Sequence, residues 1–259
     1  MKHIGIGRVL FVWLLFISSV LSIVSGKSYA ESDRVLEIGK FSAAKEHGSF
    51  PSGWKPLTFS KIREHTQYFL VKDGDEVVIK AVSERSASGL IREISVDPTE
   101  YPIVEWRWKV ENILKKGDVS RKEGDDYPAR LYITFEYDST KVGFFDKAKY
   151  EAAKLLHGQY PPIATLNYIW ANKAPVGTIV PNPYTDHSQM IVTQSGTDKL
   201  NQWVIQERNI LEDYQRAFGE APSKISGVAI MTDTDNTQES AVAYFGDIVL
   251  KRGKANKVE

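Results

Sequence analysis

The clearest hydrophobic pattern in the chain lies in two short segments, residues 104–110 and residues 129–137. In the first segment apolar and charged residues alternate, which places Trp106 and Trp108 on one side of a strand and the charged residues on the other. In the second segment the apolar side consists of Leu131, Ile133 and Phe135. The alternation predicts two strands of an antiparallel sheet, with an apolar inner face and a charged outer face.

Short runs rich in Val, Ile, Phe and Tyr predict strands along the rest of the chain. These runs lie at residues 35–41, 57–62, 67–72, 76–82, 89–94, 164–170, 189–194, 203–209, 224–232 and 241–251. Asp73 and Gly74 form a hairpin signal between two of them. Helical spacing is confined to residues 144–157 and 211–218, each followed by a glycine. Residues 171–188 are interpreted as a long loop.

Many short strands without alternating helices predict a mainly β protein. The predicted architecture is an antiparallel two-sheet β-sandwich of the jelly-roll, galactose-binding-like kind, with one or two short helical insertions. A closed barrel is the alternative, because both architectures place alternating residues inward. Residues 31–259 contain no repeat and no low-complexity linker, so they are interpreted as a single domain.

The first 30 residues have the pattern of a secretory signal peptide. Lys2, His3 and Arg8 precede an apolar run from Val9 to Val24, and small residues follow at the −3 and −1 positions of a cleavage site after Ala30. The run is shorter than the roughly 20 apolar residues that a spanning helix needs. We therefore expect an exported protein, periplasmic or secreted, with no membrane span after cleavage.

The composition and the absence of known motifs exclude several classes of function. Removing residues 1–30 leaves 30 basic and 33 acidic residues, with no basic cluster that would indicate nucleic-acid binding. The chain has no cysteine, which excludes disulfides, a thiol nucleophile and a zinc-thiolate site. No Gly-x-Ser-x-Gly elbow, phosphate-binding glycine loop or His-Glu-x-x-His motif occurs.

Five stretches carry a resemblance to a known family, namely residues 104–110, 124–130, 166–170, 208–219 and 231–237. With them the chain resembles a bacterial family of exported proteins known as domain of unknown function 3047, and the resemblance implies no catalytic residue. More distantly, the succession of a tryptophan, an arginine, a short helix and an Asp-rich turn is similar to galactose-binding-like carbohydrate-binding modules. That likeness implies sugar binding without naming a sugar.

The first candidate site is a polar face formed by Glu105, Arg107, Arg130, Tyr132 and Glu136, with Asp125 and Asp126 at its edge. Carboxylates beside guanidinium groups can bind sugar hydroxyls through charge-assisted hydrogen bonds, or can share a proton. A cross-strand ladder of salt bridges on a solvated face is the structural alternative.

The second candidate site is an oxygen-rich turn that contains Asp233, Asp235 and Glu239, which resembles the start of a calcium loop. It departs from the EF-hand pattern at the sixth and twelfth places, where Gln238 and Tyr244 stand. An Asx-type turn explains the same residues without a metal. No cofactor is predicted, and calcium is the alternative.

The third candidate site is the long loop with Tyr184 and His187, which could supply a sugar-stacking ring or a general base. The function expected from these sites is non-catalytic binding of carbohydrate or another cell-envelope component. One alternative is a polysaccharide lyase or glycoside hydrolase that uses Asp125 or Asp126 with His187. The other alternative is a structural protein of the envelope.

Overall fold

The computed structural model describes residues 34–140, 147, 150, 154 and 161–253. The chain divides into two compact units, residues 1–36 and residues 37–259, and the architecture below is that of the second unit. The predicted signal peptide lies outside the described residues. So does the helix predicted at residues 144–157, except for Lys147, Tyr150 and Lys154, which are helical.

One sheet has six strands. Its main path runs through β11 (Val204–Asn209), β6 (Ile103–Val110), β13 (Ser240–Lys251), β4 (Glu76–Glu84) and β3 (Gln67–Asp73), and β1 (Val35–Gly39) also pairs with β13. β3 and β4 form a hairpin in which Asp73 pairs with Glu76 and Gly74 has a φ of 66°. The hairpin predicted from Asp73 and Gly74 is therefore confirmed.

The other sheet has seven strands. Their order is β2 (Trp54–Leu57), β5 (Ala87–Val96), β12 (Ile225–Asp233), β7 (Arg130–Phe135), β8 (Ala164–Ala171), β10 (Thr185–Ser195) and β9 (Ile179–Asn182). Neighbouring strands are antiparallel except β8 and β10, which are parallel. The prediction of a mainly β, two-sheet sandwich is confirmed, with the correction that this sheet is mixed rather than purely antiparallel.

The two sheets pack against each other through large aromatic side chains. The ring centroids of Trp106 and Tyr168 are 5.2 Å apart, and those of Trp108 and Trp170 are 6.2 Å apart. Trp106 and Trp108 are 1% and 0% exposed. Burying such large apolar surfaces is the main favourable term in forming the core. The strand phasing predicted for residues 104–110 is therefore confirmed.

A single α-helix with described bounds, α1 (Ile210–Phe218), follows β11. The side chain of Asn209 accepts hydrogen bonds from the backbone N–H groups of Leu211 and Glu212, which caps the first turn. Gly219, with a φ of 77°, ends the helix in the left-handed conformation that glycine adopts at no steric cost. The helix predicted at residues 211–218 is confirmed. Within the described residues, no helix has the length and hydropathy that a membrane-spanning segment requires.

Two predicted elements around the seven-stranded sheet are wrong. The strand predicted at residues 57–62 is a loop, because the pairing of β2 with β5 ends at Leu57. The loop predicted at residues 171–188 contains β9 and the start of β10. Two prolines, Pro181 and Pro183, argue against a strand in the sequence. Pro181 nevertheless lies on the outermost strand, where proline is tolerated because one edge of the strand makes no ladder bonds.

Candidate functional site

The predicted polar face does not exist as one surface. Glu105 and Arg107 lie on β6 of the six-stranded sheet, whereas Arg130 and Tyr132 lie on β7 of the seven-stranded sheet. The apolar sides of both strands point into the sandwich, so their charged sides point away from each other. Alternation along a strand predicted the correct face of each strand but could not show that the strands belong to different sheets.

On the six-stranded sheet the charged residues pair with one another. Arg107 forms an ion pair with Glu76 and lies 4.6 Å above the ring of Trp203, while Glu105 accepts a hydrogen bond of 2.6 Å from Lys251. This arrangement matches the salt-bridge ladder that was the structural alternative. Partly exposed surface pairs of this kind contribute about 0–1 kcal/mol each.

On the seven-stranded sheet Arg130 is buried, with 2% of its surface exposed. Its guanidinium group donates to both carboxylate oxygens of Asp233, at 2.7 Å from Nε to Oδ1, and to Asp125 at the backbone oxygen (2.5 Å) and Oδ1 (3.3 Å). The group also lies 4.3 Å above the ring of Tyr127. A bidentate, charge-assisted contact of this kind fixes the orientation of both partners.

Asp125 and Asp126, adjacent in sequence, have different partners. Asp125 Oδ2 accepts a hydrogen bond of 2.8 Å from Asn182 Nδ2. Asp126 accepts one of 2.5 Å from the backbone N–H of Thr237 and one of 3.3 Å from Asn236 Nδ2. Both carboxylates are therefore held by the surrounding loops.

The cluster has more acidic than basic groups. Burial raises the pKa of Asp233 to about 8, and the nearby Asp126 and Asp125 add to this effect while Arg130 opposes it. Burial and the neighbouring Asp126 also raise the pKa of Asp235. Because several carboxyl groups surround one guanidinium group, the cluster favours keeping one of its carboxyl groups protonated.

The predicted metal ligands are only partly brought together. Ligand atoms of Asp126, Asp233 and Asp235 lie within 4.8 Å of one another, whereas Glu239 accepts hydrogen bonds from the backbone N–H groups at residues 115 and 116. Calcium binds about 6–8 oxygen atoms. Both oxygens of Asp233 are already engaged by Arg130, so the group fits a calcium site poorly, and Glu239 is not part of it.

A cleft of about 770 Å³ opens on the outer face of the seven-stranded sheet at this cluster. Residues 58–62, which follow the edge strand β2, line one side of it. Asn182 and Tyr184, from the hairpin of β9 and β10 at the opposite edge, line the other. The remaining lining residues are Ala87, Asp125, Arg130, Tyr132, Met231, Asp233, Asp235 and Asn236.

Two aromatic rings are exposed at this cleft. Tyr184 is 56% exposed and Phe59 is 37% exposed. The hydroxyl of Tyr184 donates to Asn236 Oδ1 at 2.8 Å, which holds the ring at the rim. Beside it, Asp235 is half-buried, and its carboxylate is hydrogen-bonded by its own backbone N–H. The rim is therefore aromatic and the interior is rich in hydrogen-bond acceptors.

His187 lies elsewhere on the protein. It is exposed and lines a separate cleft of about 430 Å³ together with Pro162, Thr165 and Ser188. The structure therefore does not bring His187 into one cleft with Asp125, as the enzyme alternative required.

Several residues of the cleft are not among the predicted site residues, including Phe59, Asn182 and Asn236. Asn236 stands in the Asp-rich turn, whose residue types indicate only a metal site or an Asx turn. Phe59 lies in the apolar run of residues 57–62, which predicts a strand, and an exposed ring in a loop has no distinct signal in one sequence.

A family model described as "Protein of unknown function (DUF3047)" matches residues 52–249. The chain belongs to this family. The resemblance predicted from the sequence is therefore confirmed. No curated protein matches the chain.

Several solved structures align with most of this chain at low sequence identity. The carbohydrate recognition domain of Emp47p is 12% identical, with a TM-score of 0.43, over 86% of this chain and 96% of that chain. A family 29 carbohydrate binding module from Piromyces equi is 9% identical, with a TM-score of 0.33, over 87% and 95%. The K2 cleaved adhesin domain of Lys-gingipain is 12% identical, with a TM-score of 0.39, over 85% and 98%.

Proposed function

We propose that the protein binds carbohydrate, without catalysis, in the cleft between Phe59 and Tyr184. The observation that carries this proposal is the combination of two exposed aromatic rings with carboxylate and amide groups in one cleft. A sugar has apolar C–H faces and hydroxyl edges. Aromatic rings pack against the faces, while the half-buried carboxylate of Asp235 and the side-chain amides of Asn182 and Asn236 form hydrogen bonds with the hydroxyls.

The arrangement of acidic groups favours binding over catalysis. Glycoside hydrolysis needs two carboxyl groups about 5–9.5 Å apart on either side of the bond that is cleaved. Asp125 and Asp126 instead accept hydrogen bonds from Asn182, Asn236 and Thr237, and His187 lies in a separate cleft. A purely structural protein would have no use for a cleft with exposed rings at its rim.

Export belongs to the same proposal. The signal-peptide pattern of residues 1–30 supports delivery to the periplasm or the medium, where envelope glycans are accessible. Intact-mass analysis of the protein recovered from its native cells should give a chain that begins at Glu31. A mass that includes residues 1–30 would contradict export with cleavage.

Affinity electrophoresis against a panel of neutral and charged polysaccharides tests the binding proposal. For the polysaccharide that binds, Tyr184→Ala should weaken binding about tenfold or more, equivalent to about 1.4 kcal/mol. Tyr184→Phe should retain most of the affinity because it keeps the ring. Phe69→Ala is the matched control, since Phe69 is an exposed ring on β3 of the other sheet.

Two results would contradict the proposal. One is the absence of binding to every polysaccharide in the panel. The other is equal loss of binding in Tyr184→Ala and Phe69→Ala, which would place the ligand away from the cleft.

A further inference from the structure

A second cleft, of about 850 Å³, lies on the same outer face of the seven-stranded sheet. It shares Thr58 with the cleft at Tyr184. Its other lining residues include Lys55, Glu93, Thr134, Glu136 and Ser226. Because they share a wall residue, the two clefts adjoin each other.

The two clefts lie end to end along the strands. Arg130 and Tyr132 of β7 line the first cleft, and Thr134 and Glu136, on the same side of the same chain segment, line the second. The six residue steps from Arg130 to Glu136 correspond to about 20 Å at about 3.3 Å per residue. The combined groove is therefore considerably longer than a single sugar ring.

The groove carries more negative than positive charge. Near neutral pH its charged lining residues are basic at three positions, Lys55, Lys61 and Arg130, and acidic at four, Glu93, Asp125, Asp235 and Glu136, because the raised pKa of the buried Asp233 keeps that carboxyl group protonated. Lys55 pairs with Glu93 at 2.7 Å and Arg130 with Asp125 at 3.3 Å, which leaves Lys61 against Asp235 and Glu136. Like charges repel, so the groove disfavours polymers of acidic sugars.

We propose that the two clefts act as one groove, and that its ligand is a linear polymer of neutral or amino sugars that occupies both clefts. This inference rests on the proposed function, because it assumes that the cleft at Tyr184 binds sugar. It adds the length and the charge class of the ligand. A polymer in the groove contacts Tyr184 at one end and the pair Thr134 and Ser226 at the other.

Isothermal titration calorimetry with oligosaccharides of different length tests the groove. The probes are cellobiose and cellohexaose, the dimer and hexamer of chitosan, and the hexamer of polygalacturonate. For a glycan that binds, the hexamer should bind about tenfold or more tightly than the dimer, because only the hexamer reaches both clefts. The galacturonate hexamer should bind more weakly than either of the other hexamers.

A substitution at the far end of the groove locates the extra contacts. Ser226→Trp should fill the second cleft and weaken hexamer binding about fivefold while leaving dimer binding unchanged. Ser226→Ala removes the hydrogen bond of 2.8 Å with Thr134 without filling the cleft, so it should weaken hexamer binding less than Ser226→Trp does. If Ser226→Trp does not fold, the affinities of the unmodified protein for the dimer and for the hexamer test the groove.

The outcomes separate the two proposals. Equal affinity for dimer and hexamer, or a folded Ser226→Trp variant that binds the hexamer normally, would overturn the groove and leave the proposed function intact. If the galacturonate hexamer binds more tightly than the other hexamers, the proposal that the ligand is a neutral or amino-sugar polymer is wrong. Failure of every probe to bind, at either length, would contradict the proposed function and the inference with it.

Discussion

The substitution Asp233→Asn tests whether the buried acidic cluster holds a proton near neutral pH. Asp233 is almost fully buried, and both of its carboxylate oxygens accept hydrogen bonds from Arg130. Burial, together with Asp126 and Asp125, raises its pKa from an ordinary value of 3.8 to about 8. Asparagine has nearly the same shape and remains neutral at every pH, so the substitution isolates the titration.

The sign of the expected effect follows from the two pKa values. The folded protein keeps the proton on Asp233 up to about pH 8, whereas the unfolded chain releases it near pH 3.8. The stabilisation that comes from this proton is therefore complete below pH 3.8 and is lost as the pH rises to about 8. Each pH unit corresponds to about 1.36 kcal/mol, so the loss between about pH 5 and pH 8 is about 4 kcal/mol.

Urea unfolding of both proteins over this range measures the effect. The free energy of unfolding of the unmodified protein, minus that of Asp233→Asn, should fall by about 4 kcal/mol between about pH 5 and pH 8. Asp198→Asn, at an exposed position, is the control for a change of one acidic residue. A difference that stays constant with pH would show that Arg130 keeps Asp233 ionised throughout, which would refute the reasoning about charge imbalance.

Two further predictions concern the core and the acidic cluster. Trp108 and Trp170 are both fully buried, but Trp170 Nε1 donates to the backbone oxygen of Gly196 at 3.1 Å, whereas Trp108 Nε1 has no hydrogen-bond partner among the described residues. Trp170→Phe should therefore lower the free energy of unfolding by about 0.5–1.5 kcal/mol more than Trp108→Phe, and equal losses in urea unfolding would contradict this. Because Arg130 engages both oxygens of Asp233, about 1 mM Ca²⁺ should change the melting temperature by less than about 1 °C in differential scanning fluorimetry. A rise of several degrees would show that the cation binds the cluster.

Local patterns in the sequence predicted the elements whose cause is local. The alternation around Trp106 and Trp108 predicted which side of β6 is buried, and Gly219 marked the end of α1. Both features depend on residues within one strand or one helical turn. Neither required knowledge of the rest of the fold.

The sequence could not predict which distant segments meet. Arg130 binds Asp233, and Asp126 binds Thr237, across more than 100 residues of chain. The alternating period is the same in either sheet, so it could not separate Arg107 from Arg130. The parallel pairing of β10 with β8, which brings Tyr184 to the cleft, likewise depends on the order of strands and not on their composition.

Tyr184 stands where one side of the proposed binding cleft can change without disturbing the core. Tyr184 lies in the two-residue turn between β9 and β10, at the outer border of the seven-stranded sheet. Insertions or substitutions in this turn leave the interior strands and the aromatic core in place while they reshape one side of the cleft. If the cleft binds sugar as proposed, we expect members of the family to differ most in ligand preference where this turn differs in length or in its ring. Exchanging the turn between two members would then transfer preference without rebuilding the sandwich.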